Sequence, residues 1–180
     1  MKVGPPTRYL AGLLTLAMSS PAGAQTTVTL PDTSQTTTMS ANVSEQARIT
    51  VPATVTFNVS NIGISTAAAA ATVTADQIVT SSASKQLKIS LQANATSFTP
   101  PVGGAVTWSA ADVSWNAASW TNATGTAATL SNSSYNTVAT CVADATSCST
   151  TGLVFTLGAK PTVQRSGAHT LVVTWKFEGI

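Results

Sequence analysis

Charge is what this 180-residue chain has least of: eight Lys plus Arg, six Asp plus Glu and a single His. Without a Lys/Arg run or an acidic block, it lacks the electrostatic footprint of a protein that binds nucleic acid or anionic lipid. One His and two Cys are too few for a zinc site of the usual ligand count. No Gly-rich phosphate loop, H-E-x-x-H, calcium loop or G-x-S-x-G elbow occurs. The carboxylates stand isolated along the chain, so nothing marks the paired acids of a glycosidase. His169 directly precedes a strong strand pattern and reads as a turn or surface residue. The expectation is a protein that is not an enzyme and uses no cofactor and no metal.

What is present begins with an export signal. Lys2 and Arg8 precede an apolar stretch over 9–18, and Ala22-Gly23-Ala24 forms the small-x-small pattern of a signal-peptidase site. The reading is a signal peptide over 1–24 and a mature chain over 25–180, secreted or cell-surface, with the periplasm as a transit compartment in a bacterial host. The apolar stretch is too short for a stable membrane span, so none is expected after cleavage. Lys2 and Arg8 leave with the signal, which brings the mature chain to six basic against six acidic residues and a formal charge of zero. Five N-x-[ST] sequons, at Asn42, Asn58, Asn94, Asn122 and Asn132, are what chance gives in a chain so rich in Asn, Ser and Thr.

The remaining length suits one domain with a real core, and its apolar residues recur with period two. In "ITVPATVTFNV", Ile49, Val51, Ala53, Val55, Phe57 and Val59 share one parity. Leu87, Ile89, Leu91 and Ala93 do so in "QLKISLQA", as do Leu153, Phe155 and Leu157 in "GLVFTLG". The C-terminal stretch repeats the pattern with Leu171, Val173, Trp175 and Phe177. Successive strand side chains point to opposite faces, so these read as half-buried strands of an all-β chain. Gly-, Pro- and Asn-rich punctuation separates them, and Pro52 marks an edge position or a break in the first. The expected architecture is an antiparallel immunoglobulin-like or pilin-like β-sandwich, with a closed barrel as the alternative. Five consecutive alanines after Ser65 and Thr66 add a candidate short helix or crossover near 66–79, which Thr72, Val73 and Thr74 disfavour as helix.

Cys141 and Cys148 are the only pair in an exported chain and read as a structural disulfide closing a small loop. Three of the four tryptophans lie within 107–122. Trp108 and Trp115 fall in phase with Val106 and Val113, and Trp175 follows the parity of the last strand, so these three read as core. Trp120 lies beside the "TNATG" turn with no alternation to join. It is expected to be exposed and, with Tyr135, is the candidate ligand contact.

"ITVPATVTFNVSN", the stretch from Gln86 through Trp115, and the closing "RSGAHTLVVTWKFE" together resemble small secreted bacterial β-sandwich proteins: pilin-like fimbrial subunits, spore-coat-U-like proteins and WxL-like surface domains. The resemblance implies an extracellular or cell-surface structural role and assembly by strand exchange between subunits. The chain departs from chaperone–usher pilins in carrying Gly179 as its penultimate residue and in the late position of its cysteines. In 25–43, Val28 and Leu30 alternate with Thr before Pro31, and Met39, Ala41 and Val43 alternate after it. This segment reads either as the domain's own first strand or as a donor strand that pairs with a neighbour. The function expected is a non-catalytic structural or adhesive surface subunit that self-associates by strand pairing. The alternative is a carbohydrate-binding module that meets surface glycans with exposed aromatics.

Overall fold

Val, Ile and Thr are stiff at χ1 and fit a pleated surface, and the chain is accordingly built almost wholly of strands. The computed structural model describes residues 27–103 and 106–180, and the expected signal peptide lies outside them. In chain order the strands are β1 (Gln46–Thr50), β2 (Thr66–Ala67), β3 (Ala71–Val79), β4 (Leu87–Ala93), β5 (Val113–Trp115), β6 (Ala123–Gly125), β7 (Ala128–Thr129), β8 (Asn136–Cys141), β9 (Cys148–Leu153), β10 (Phe155–Leu157) and β11 (Val173–Gly179). One 3-10 turn, Ala110–Asp112, leads into β5.

Every pairing is antiparallel. The strands form three open sheets in a sandwich-like arrangement: β1-β3-β9, β2-β10-β5-β7 and β11-β4-β8-β6. The chain passes from the first sheet to the second between β9 and β10, at Val154. There the Asn116 side chain stands in for the ladder, with Oδ1 accepting from the Val154 amide at 2.8 Å and Nδ2 donating to the Gly152 carbonyl at 3.1 Å. Parity drives burial as the alternation predicts. Val73, Ile89, Leu91, Val138 and Leu153 are fully buried and draw one core from strands of more than one sheet.

Of the two readings of 66–79, a short helix or a crossover, the helix does not form. Ala71, Val73 and Ala75 alternate inward along β3, and the β-branched Thr72, Val73 and Thr74 settle the competition with alanine's helix preference. The β1–β3 register slips by one residue between Gln46 and Arg48, and the extra residue, Gln77, takes a positive φ of 50°. A second slip, between Ile89 and Ser90, leaves Val138 of β8 as the extra residue, and Ile89, Ser90 and Leu91 of β4 are buried in succession.

The chain divides into two units, Met1–Ala41 and Asn42–Ile180. In the first, the described residues form neither helix nor strand. Asp32 organises a local turn there, accepting from the Ser34 amide at 2.9 Å and from the Gln35 side chain at 2.9 Å. The reading of 25–43 as the domain's own first strand is therefore corrected: no strand begins before Gln46 among the described residues. Thr-rich alternation supplies a pattern that pairs only where a partner edge lies alongside.

Cys141 and Cys148 are joined in a disulfide. It links the end of β8 to the start of β9, strands of different sheets, so the loop it closes is also a tie across the sandwich.

Candidate functional site

The first strand pattern starts as predicted and then fails. β1 stops at Thr50, whose partner is Thr74. Pro52 follows and has no N–H to continue the ladder. From there the chain bends at Ala53, which is exposed, and the rest of the apolar parity, Val51, Val55, Phe57 and Val59, is half-buried against the core. No backbone hydrogen bond joins residues 51–60 to any other described residue. A strand-like segment with unpaired N–H and C=O groups along its length is unusual, because backbone groups are normally satisfied within a sheet.

Beside it lies an apolar groove of about 990 Å³. One wall is 51–59, and the other is the stretch from Leu171 to Trp175. Leu91, Trp108, Val113, Leu130, Phe155 and Leu157 contribute to the floor. β11 pairs with β4 on one side only and is the terminal strand of its sheet, so its other edge is also unpaired. A smaller recess of about 440 Å³ lies between 52–58 and 67–72. The segment is thus out of bonding range of its neighbours on either side.

Trp175, expected as core, is only half-buried, and Val173 is 39% exposed. The reason is the groove: parity turns both inward, but nothing covers them from the 51–59 side. Full burial of such side chains contributes roughly 1.5–3 kcal/mol each, and part of that is unrealised here. Trp175 instead stacks on Phe177, with ring centroids 6.3 Å apart.

Among the lining residues only Arg165 and His169 carry charge or a titrating ring. Both belong to 163–170, where positive φ angles at Arg165 (73°) and Gly167 (130°) turn the chain. Arg165 Nε donates to the Gly103 carbonyl at 3.0 Å. His169 is held from both nitrogens, Nδ1 against the Thr107 hydroxyl at 2.8 Å and Nε2 against the Arg165 carbonyl at 3.2 Å. Its ring sits edge-on to Trp108 at 5.3 Å. The other cations among the described residues pair elsewhere: Arg48 with Asp76, Lys85 with Glu45, Lys160 with Asp112, and Lys88 and Lys176 with Glu178. Asp112 keeps its carboxyl below the usual range although partial burial opposes this, because Lys160 and Ser109 both hydrogen-bond to it.

The candidate donor residues are exposed: Leu30 at 83%, Met39 at 91% and Val43 at 70%, with Val28 and Ala41 also open to solvent. The candidate ligand rings are not brought together. Trp120 is half-buried rather than exposed, packs on the core and stands over Gly125 of β6, where an added Cβ would come within 2.9 Å of its ring. Its Nε1 is buried without a partner among the described residues. Tyr135 is exposed and lies under Lys176 Nζ, 5.5 Å from the ring centroid. Lys176 belongs to β11, and β6 is at the other edge of the same sheet. The cover of Trp120 is the glycine of a strand that comes later in the chain, which the local pattern around 120 does not display. The groove floor is not legible in the sequence either, since its residues come from five separate stretches.

Among the described residues no cluster of His, Cys, Asp and Glu could hold a metal ion, and no helix is long and apolar enough to cross a membrane. No protein-family model matches the chain, and neither a curated protein nor a solved structure matches it.

Proposed function

We propose that the protein is an exported structural subunit of the extracellular space or cell surface that assembles by β-strand exchange. One observation carries the reading: an apolar groove with two unpaired backbone walls in a chain that also bears an exposed alternating segment. An extended peptide added to such a place gains main-chain bonds from the edges and burial from alternate side chains. The same edges, left open, are the hazard that natural sheets avoid. A disulfide and an N-terminal export pattern agree with an oxidising compartment outside the cytosol. The role needs no catalytic group, and the groove offers none beyond a His169 already engaged at both nitrogens.

Deleting 25–43 from the mature chain tests this. The intact mature chain is expected to form multimers visible as filaments or ladders by electron microscopy, and the shortened chain to remain at protomer mass. Equal mass and equal stability for the two would reject the reading.

A further inference from the structure

We infer that the strand filling the groove is 35–43 of a second copy, not 26–30, and that this choice makes the assembly stiff. The inference rests on the strand-exchange reading above and adds which stretch is donated. A strand lodged in the groove lies between 51–59 and 171–175 and has to pair on both edges where the two walls face each other. Pro31 cannot sit inside such a doubly bonded strand, because it has no N–H to donate. The stretch before it therefore ends at Leu30 and offers only Val28 and Leu30 as apolar residues.

After Pro31, the stretch 35–43 is as long as 51–59 itself. Gln35, Thr37, Met39, Ala41 and Val43 form one face, apolar from Met39 onward, and Thr36, Thr38, Ser40 and Asn42 form a polar outer face. Charge agrees with length. The stretch 33–44 carries no charged side chain and is bounded by Asp32 and Glu45, and the groove floor carries none either. A charge buried there without a partner would be costly. Met39 at the centre suits an irregular apolar trough, being unbranched and adaptable.

The link to the donor's own domain follows from the same assignment. Only Ser44 and Glu45 separate Val43 from β1, a reach of at most about 11 Å. Glu45 is anchored in turn, accepting from the Ser81 amide at 2.7 Å and from Lys85 Nζ at 2.9 Å. Consecutive domains would be held close with little freedom. A donor at 26–30 would leave a tether of up to about 50 Å, and the subunits would hang as beads.

Hydrogen exchange of the mature chain, read by peptide mass with light scattering on the same sample, separates these. The expected result is a multimer whose amides at 36–43 exchange at least about 100-fold more slowly than an unstructured chain, while 26–30 exchanges freely. Protection reaching 26–30 in a multimer overturns the assignment and leaves strand exchange standing. A multimer with neither stretch protected, or a sample at protomer mass, overturns both. A second arm uses exposed positions that leave the fold intact: Met39→Asp should reduce the multimer to protomers and Leu30→Asp should not. The reverse outcome overturns the assignment alone.

Discussion

Ser90 is 1% exposed, and its Oγ finds no hydrogen-bond partner among the described residues. It lies on β4 between Lys176 of β11 and Thr137 of β8, inside the sheet, with Ile89 and Leu91 buried on either side of it. A buried hydroxyl without a bond costs about 1–3 kcal/mol relative to a satisfied one. Ser90→Ala is therefore expected to stabilise the fold, by up to about 1 kcal/mol, in a urea denaturation series. A loss of stability would show that the hydroxyl is bonded. The buried indoles behave differently, for Trp108 Nε1 donates to the Gly158 carbonyl and Trp115 Nε1 to the Thr126 carbonyl, each at 2.9 Å. Parity alone placed both rings in the core, since each shares a face with an inward valine. It could not place Trp120, whose burial depends on Gly125 meeting it from another strand.

At the scale of elements, the legible strands were those with a partner at hand. β4, β10 and β11 match their alternation because each lies in a ladder, whereas 51–59 carries an equally good pattern without becoming a strand. Alternation reports which face is apolar, and pairing needs a neighbour that a single sequence does not display. The start of β1 is fastened by Glu45, whose carboxyl is pulled from 4.5 down to about 2 by hydrogen bonding from Ser81 and then by Lys85. A carboxylate with a depressed folded-state pKa adds stability that is complete above about pH 4.5 and is lost as pH falls toward 2. Glu45→Gln should flatten the acid side of the stability profile in that window, measured by denaturation from pH 7 to pH 2. Parallel profiles for the two proteins would contradict the anchor. The β8–β9 tie makes a separate prediction. Replacing both Cys141 and Cys148 with Ser should cost about 2.5 kcal/mol, the loop-entropy value for so short a ring. A negligible change would show that the tie constrains little.

For the whole molecule, three open sheets make a sandwich-like arrangement with an apolar seam, the groove between 51–59 and 171–175. Its ion pairs lie away from that seam, and the mature chain read from residue 25 carries no formal net charge, so repulsion between copies is small. Leu30, Met39 and Val43 are exposed on a segment that makes no strand of its own among the described residues. Light scattering of the purified mature chain across a dilution series tests this most directly. The account predicts masses at integer multiples of the protomer that persist on dilution, because a strand bonded on both edges leaves slowly. A single protomer mass at every concentration would contradict it.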